Sequence, residues 1–208
     1  MIVHADDAIV VADKPAGLLA VPGRGEHQAD CLWARVRARF VDALVVHRLD
    51  QATSGLVVFA RGAAVQRALS MAFATRDVAK AYVAVVAGDV AGKAGEIDLP
   101  LAADWPNRPR QIVDHARGKP SLTRWRVLAR GATHDIASTR LALEPVTGRS
   151  HQLRVHLQAI GHPIVGDALY APPPVAAQAP RLLLHATRLA FAHPGGGGSV
   201  AFESPPPF

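Results

Sequence analysis

Three side chains that can do chemistry lie close together in one short loop of the sequence. His47, Arg48 and Asp50 stand between two apolar segments, residues 44–46 and 55–60, which are typical of buried strands. Polar groups in such a place destabilise the fold unless they are paired or have a function. A carboxylate there can act as an acid, a base or a nucleophile. The loop alone also fits a structural turn, in which Asp50 would accept hydrogen bonds from backbone N–H groups.

Several familiar enzyme classes fit this sequence poorly. A protein-kinase catalytic loop would not have Leu49 between the arginine and the aspartate, and no glycine-rich nucleotide loop precedes it. His151 and His156 are five residues apart, whereas the two zinc-binding histidines of a metalloprotease helix are four residues apart. Cys31 is the only cysteine, which excludes an internal disulfide and multi-cysteine metal sites. These two observations lead us to expect no metal site, and the sequence also has neither a Rossmann fingerprint nor a P-loop.

The composition predicts a globular protein with an anionic partner. The chain has 208 residues, of which 50% are hydrophobic and 19% are charged, and this is too apolar for disorder. Lysine and arginine number 23 against 17 acids, and 19 of those cations are arginine, which binds phosphates with a planar fork of donors. An alanine- and arginine-rich composition is also typical of a GC-rich genome, which explains part of the bias. The remainder favours nucleic acid as the partner.

The sequence gives no sign of export or of a membrane span. No apolar run approaches the roughly 18 residues that a membrane-spanning helix needs. The N-terminal segment has acids where a signal peptide would have positive charge. We therefore expect a soluble cytoplasmic protein, and we expect a monomer.

The pattern of apolar residues predicts more strands than helices. Helices are expected after an N-cap at Asp30, over residues 63–73 and over residues 151–160, where apolar side chains recur every three or four positions. Strands are expected over residues 8–12, 44–46, 55–60, 81–87, 121–128, 139–143 and 181–192. Since the strands come in runs, we predict an α+β fold with a largely antiparallel mixed sheet flanked by helices.

Around Asp50 the sequence resembles the central motif of the RluA family of RNA pseudouridine synthases. That motif runs His-Arg-Leu-Asp, then Thr-Ser-Gly and an apolar strand, as residues 47–60 do here. Further segments resemble the family's other motifs in the same order: the Lys-Pro element at residues 13–18, Lys80-Ala81-Tyr82, residues 147–156, residues 161–167 and residues 183–186. The resemblance covers almost the whole chain.

Two further segments, residues 98–101 and 104–109, are similar to the small dual-specificity type of this family. This type acts on a uridine in the anticodon stem-loop of some tRNAs and on one in a 23S rRNA loop. It lacks the N-terminal S4 RNA-binding module of several relatives. Because the Lys-Pro element lies so near residue 1, we expect no S4 module here and one catalytic domain over residues 1–208.

The resemblance implies an isomerase that needs no cofactor. The N1–C1′ glycosidic bond of a uridine breaks, the bound uracil turns, and C5 is joined to C1′ instead. Asp50 is then the essential carboxylate, ionised while shielded from water, and Arg149 is the candidate for its ion pair. Tyr82 would lie against the uracil ring, with Leu184 packed on Tyr82. Three routes stay open: Asp50 attacks the sugar carbon, attacks the base, or supports removal of a ribose proton by Tyr82.

Structured RNA is the partner that the resemblance implies. The target uridine must be flipped out of its stack, at a cost of roughly a few kcal/mol. We expect His47 and Arg48 to fill the vacated space and to hold neighbouring bases. Candidate phosphate contacts, for each of which a solvated surface charge is the alternative, are Arg108, Arg110, Lys119 and Arg154. The tryptophans are expected in the core or in an interface rather than as base-stacking platforms; they are Trp33, Trp105 and Trp125.

Two other functions compete with the dual-specificity synthase. One is a catalytically silent RNA-binding protein that keeps the fold and a basic face. The other is a synthase of the same family that is restricted to ribosomal RNA. The joint presence of Asp50, Tyr82 and Arg149 argues against a silent protein, because a binder has no reason to retain a buried carboxylate with its partner. The segment at residues 104–109 favours the dual type.

Overall fold

The described part of the chain divides into two compact units. The computed structural model describes residues 1–23 and 29–208. The first unit comprises Met1–Lys80 and His185–Pro207, and the second comprises Ala81–Leu184 with Phe208. Among the described residues, none of the helices has the length and apolar character needed to cross a membrane.

Strands make up most of the regular structure. In chain order the elements of the described residues are β1 (Ile2–Ala5), β2 (Ile9–Lys14), α1 (Leu32–Arg37), β3 (Ala43–Val45), β4 (Ser54–Arg61), α2 (Ala63–Thr75), β5 (Ala79–Ala87), β6 (Ala94–Asp98), β7 (Leu101–Ala103), β8 (Gln111–Val113), β9 (Leu122–Thr133), β10 (Ile136–Pro145), α3 (Gln152–Ala159), α4 (Pro173–Ala176), β11 (Leu184–Ala192) and β12 (Ser199–Glu203).

The first unit is built on strands in the order β1-β2-β4-β11. β1, β2 and β4 are antiparallel neighbours, whereas β11 runs parallel to β4. β3 adds to β4 and β12 adds to β11, both antiparallel. Residues 56–60 are apolar and fully buried, as expected for a central strand covered on both faces. Ile9 of β2, Val58 of β4 and Leu69 of α2 belong to one core cluster of this unit.

The second unit is built on strands in the order β5-β10-β9-β6, in which every pair is antiparallel. β9 and β10 form a long hairpin, and β7 and β8 form a separate two-stranded sheet. α3 is buried at every position from Gln152 to Leu157. Its Val155 packs in one cluster with Leu101 of β7 and with Tyr170.

The predicted fold class is confirmed, since the sheet is mixed and mostly antiparallel and the helices are few. β9 and β10 extend beyond the predicted strands because each pairs with the other along its length. Five short strands were not predicted, because segments of three to five residues show too little alternation; they are β1, β6, β7, β8 and β12.

The start of the first helix also differs from the prediction. Cys31, not Asp30, is the N-cap of α1, and its Sγ accepts a hydrogen bond from the Ala34 N–H at 3.4 Å. Asp30 instead forms an exposed ion pair with Arg35, at 2.6 Å. The helix ends at Arg37 after only six residues, because α1 is followed directly by the turn that leads into β3.

Candidate active site

The loop between β3 and β4 contains Asp50 and is tied to the Lys-Pro element at the end of β2. The link is Lys14, whose side chain is fully buried. Its ammonium donates to the carbonyl oxygens of Leu18 at 2.7 Å and of Pro15 and Gln51 at 3.0 Å. Those bonds compensate for the removal of the charge from water. Because Gln51 follows Asp50 directly, this buried cation fixes the backbone beside the candidate carboxylate.

The residues around Asp50 differ in exposure. Arg48 is exposed, Leu49 is 7% exposed, and Asp50 itself is partly buried. The carbonyl oxygen of Asp50 accepts a hydrogen bond from the Thr53 N–H at 3.1 Å, which closes a turn. The buried leucine anchors the loop, and Arg48 is left accessible to a ligand.

His47 is used inside the fold. Its ring stacks on Phe73 of α2, with ring centroids 4.4 Å apart. Its Nε2 accepts a hydrogen bond from the Val58 N–H at 3.0 Å, so that nitrogen has no proton. Burial and the nearby Lys80 ammonium lower the pKa of His47 to about 3. The neutral ring therefore holds the loop against α2 and β4. Contact of His47 with neighbouring RNA bases stays a prediction.

A chain of buried polar side chains fixes the start of β4. Ser54 Oγ lies 2.7 Å from His185 Nδ1, and His185 Nε2 lies 3.1 Å from Ser204 Oγ. Ser204 in turn donates to Asp13 Oδ2 at 2.5 Å. The parallel pairing of β4 with β11 places Ser54 opposite His185, although 131 residues separate them in the chain. Because the partners lie so far apart in the sequence, no local pattern predicts these hydrogen bonds.

The same strand pairing explains Gly55. Its φ is +117°, and a Cβ at this position would lie 2.3 Å from the carbonyl oxygen of Ala186. Only glycine fits both conditions. The Thr-Ser-Gly sequence after Asp50 therefore has a structural reason: a hydroxyl for His185, then a residue without a side chain where β4 approaches β11.

Tyr82 and Leu184 belong to the second unit. Tyr82 lies on β5 opposite Leu143 of β10 and is partly buried. Leu184 is the first residue of β11 and is buried. Asp50 belongs to the first unit, so the meeting of Asp50, Tyr82 and Leu184 in one site stays a prediction from the resemblance.

Arg149 is exposed in the segment before α3. Its backbone N–H donates to Gln152 Oε1 at 3.0 Å, and its Nε donates to the Pro120 carbonyl oxygen at 3.4 Å. Its ion pair with Asp50 also stays a prediction. Water would weaken such a pair at an exposed guanidinium.

Arg154 is an interior residue of the second unit. Its side chain is 4% exposed, and its guanidinium donates to both carboxylate oxygens of Asp167, at 2.8 and 2.7 Å. Asp167 also accepts hydrogen bonds from the backbone N–H groups of Leu169 and Tyr170. The prediction that Arg154 is a surface phosphate contact is therefore wrong. Its planar fork of donors is used in a buried ion pair that joins α3 to the segment after it.

The remaining predicted RNA contacts lie on or near the β7–β8 hairpin. Arg108 and Lys119 are exposed, and Arg110 is partly exposed. Trp105, in the turn of the hairpin, is 66% exposed, so of the two predicted positions, core or interface, the core is excluded. Trp33 and Trp125 are partly buried. Arg108, Arg110 and Lys119 stay candidates for contacts with phosphate.

Comparison with known proteins adds independent evidence. Residues 8–159 match the family model described as RNA pseudouridylate synthase. The chain is 48% identical over 208 residues to the dual-specificity RNA pseudouridine synthase RluA of Escherichia coli K12, covering 100% of this chain and 94% of that protein. It is 48% identical over 207 residues to the RluA enzyme of Pasteurella multocida, covering 100% and 93%. Among solved structures, human RNA pseudouridylate synthase domain containing 1 superposes with a TM-score of 0.84 at 29% identity, covering 100% of this chain and 83% of that one.

Proposed function

This chain belongs to the RNA pseudouridylate synthase family, and from that premise we propose that it isomerises uridine to pseudouridine in both a tRNA anticodon stem-loop and 23S rRNA. The observation that supports two RNA substrates is the identity of 48% to dual-specificity enzymes over the whole chain. The similar identity to the dual-specificity enzyme of Pasteurella multocida, also over the whole chain, supports the same substrates. The structure supports the proposal with a loop whose backbone is held on either side of Asp50, by Lys14 at Gln51 and by His185 at Ser54.

The reaction needs no group from outside the RNA and the protein. The N1–C1′ bond breaks and its electron pair stays with the uracil. The uracil turns, the C5–C1′ bond forms, C5 loses its proton and N1 gains one. Each of the three routes to this result uses one ionised carboxylate, which we assign to Asp50. The buried contacts of Lys14 with Gln51 and of Ser54 with His185 hold both ends of its loop, and this rigidity favours a fixed reaction geometry.

We assign Tyr82 to the uracil ring and Leu184 to the apolar surroundings of Tyr82, as the resemblance implies. For the positive partner of Asp50 the resemblance points to Arg149. The same motif contains Arg154, and of the two only Arg154 is shielded from water. Substituting each arginine in turn therefore identifies which one the reaction needs.

Arg48 is the residue that we assign to base flipping. It is exposed and lies two positions before Asp50, whereas the ring of His47 is already stacked on Phe73. A planar guanidinium can occupy the gap that a flipped uridine leaves in its stack. Contact of Arg48 with RNA would thus be coupled to exposure of the target base.

Mapping pseudouridines in a strain that lacks this gene tests the proposal. We expect one tRNA anticodon stem-loop position and one 23S rRNA position to lose pseudouridine relative to the parent strain. Both should return when the gene is restored. Loss in 23S rRNA alone would establish a synthase restricted to ribosomal RNA, and no loss in either RNA would contradict the proposed substrates.

A further inference from the structure

An unusually exposed aromatic side chain lies at the turn of the β7–β8 hairpin. Trp105 is 66% exposed, whereas the indoles of Trp33 and Trp125 are partly buried. Tryptophan is a large apolar group, and a monomeric protein gains nothing in stability by leaving it in water. Exposed aromatic groups of this size are enriched where proteins bind partners.

The indole is held in a fixed place by its neighbours in the turn. The guanidinium carbon of Arg108 lies 3.5 Å from the ring centroid of Trp105, a close cation–π contact. The turn itself is closed by hydrogen bonds from the Asp104 N–H to the Arg110 carbonyl and from the Arg110 N–H to the Asn107 carbonyl, both 3.0 Å. The Asn107 amide donates to the Asp104 carboxylate at 2.9 and 3.1 Å. A platform ordered before binding loses little conformational entropy when a ligand stacks on it.

The chemistry around the indole favours an anionic, aromatic ligand. Neither Arg108 nor Arg110 forms an ion pair within the part of the chain that the structure describes, and Lys119 nearby is exposed. Beside the turn, a polar groove of about 460 Å³ is lined by Asp104, Arg110 and Gln158 among others. That volume accommodates a ligand of nucleotide size. The Arg108 guanidinium lies over one face of the indole, and the Arg110 guanidinium carbon lies 5.3 Å from the Tyr170 ring centroid. An aromatic ring with two cations that have no ion pair among the described residues matches a nucleobase joined to phosphates better than it matches an apolar protein surface.

We propose that Trp105 and Arg108 form a platform on which an unpaired nucleobase of the RNA substrate stacks, with Arg110 contacting the phosphate next to it. We assign the stacked base to a nucleotide other than the target uridine, because the target uracil is assigned to Tyr82 of β5, whereas Trp105 lies in the turn between β7 and β8. The inference rests on the proposed function for the identity of the ligand as RNA. It adds a second recognition site, which would contribute to the choice of substrate.

Binding of an anticodon stem-loop transcript to matched variants tests the platform. Stacking of a base on an aromatic side chain changes affinity roughly 5- to 150-fold, and for an exposed platform we expect Trp105→Ala to weaken binding about tenfold. Trp105→Phe should retain most of the affinity because it keeps an aromatic face. Leu128→Ala is the control, since Leu128 is also an exposed apolar side chain of the second unit, at 42%, but lies on β9 and not in the β7–β8 turn.

An abasic scan of the same RNA identifies the stacked base. Removing that one base should weaken binding to the wild-type protein about as much as Trp105→Ala does, and should cost the Trp105→Ala protein little more. Equal affinities of wild type and Trp105→Ala would overturn the proposal. So would a Trp105→Ala protein that binds RNA normally but has lost self-association in sedimentation, because Trp105 would then be a protein contact.

Tritium release from 5-tritiated uridine by the wild-type protein separates this inference from the proposed function. If the wild type releases tritium from the stem-loop while Trp105→Ala binds it normally, the platform is excluded and the proposed function stands. If the wild type releases no tritium from the anticodon stem-loop or from 23S rRNA while the Trp105 variants still alter RNA affinity, the proposed function fails and the platform stands.

Discussion

Stability at acid pH should depend on His47. Its Nε2 accepts the Val58 N–H, and its ring is stacked on Phe73 of α2. Protonation of Nε2 would point its new N–H at the Val58 N–H, so this hydrogen bond would be lost. It would also place a positive charge near the Lys80 ammonium. Burial of the ring, followed by the positive charge of Lys80, lowers the pKa of His47 from 6.5 to about 3. Since the unfolded chain binds a proton near pH 6.5 and the folded protein does not, the contribution of neutral His47 is complete above that pH and declines as the pH falls towards 3.

The size of this effect follows from the two pKa values. Each pH unit between them costs about 1.4 kcal/mol of unfolding free energy. At pH 5 the difference is about 2 kcal/mol, and at pH 7 it is only about 0.2 kcal/mol. The value at pH 5 depends on the unfolded chain alone so long as the folded pKa lies well below 5. His156 is buried, its pKa is also lowered by burial, and it acts in the same direction, so a comparison with a variant is required.

His47→Gln provides that comparison. The amide oxygen of glutamine can accept the Val58 N–H but does not titrate in this range. Between pH 7 and pH 5, urea denaturation should show that the wild type loses about 2 kcal/mol more unfolding free energy than His47→Gln does. Because His156 is present in both proteins, its contribution cancels. Identical losses in the two proteins would refute the neutral, buried role of this histidine.

Four other substitutions test separate parts of the structure. In urea titrations, Arg154→Met should lower the unfolding free energy by about 3–5 kcal/mol, because it leaves the Asp167 carboxylate buried without its partner. Arg149 is exposed, so Arg149→Met should change the unfolding free energy by less than about 0.5 kcal/mol. Arg149→Met is then a clean test of the predicted ion pair, and a normal single-turnover rate would remove Arg149 from the active site. Gly55→Ala should destabilise the protein by more than about 2 kcal/mol, because the φ of +117° is unfavourable for alanine and its Cβ would clash with the backbone of β11. A melting temperature within a few degrees of wild type would contradict this. Arg48→Ala should impair single-turnover tritium release strongly on an anticodon stem-loop and mildly on an unstructured strand with the same uridine. Equal defects on the two RNAs, together with a slope of log binding constant against log salt concentration that is smaller by about one, would make Arg48 a phosphate contact instead.

Local sequence patterns predicted the elements that surround Asp50. The apolar segments on both sides of the loop became strands β3 and β4, and the apolar spacing over residues 63–73 became helix α2. These predictions succeed because each depends on neighbouring residues only. The motifs around Asp50 were likewise visible in the sequence, because their members are adjacent in the chain.

Contacts between distant segments could not be predicted in this way. Ser54 meets His185 only because β4 pairs with β11, and His47 meets Phe73 only because α2 packs behind the loop. Arg154 was placed on the surface because helix α3 was assumed to have one apolar face. In fact α3 is buried at every position from Gln152 to Leu157, and the Arg154 guanidinium is stable there because Asp167, 13 residues later, binds it. An arginine in a helix followed closely by an aspartate is the signal that could have revealed this pair.

The role of Asp50 is tested most directly by tritium release in a single turnover. Asp50→Asn keeps the shape of the side chain but removes the ionised carboxylate. Asp7→Asn makes the same change in the same unit at a fully exposed side chain and serves as the control. On an anticodon stem-loop with 5-tritiated uridine, we expect Asp50→Asn to release no tritium above background while binding the RNA nearly as tightly as the wild type, and Asp7→Asn to react normally. Substantial release by a homogeneous Asp50→Asn preparation would contradict the assignment of Asp50 as the catalytic carboxylate.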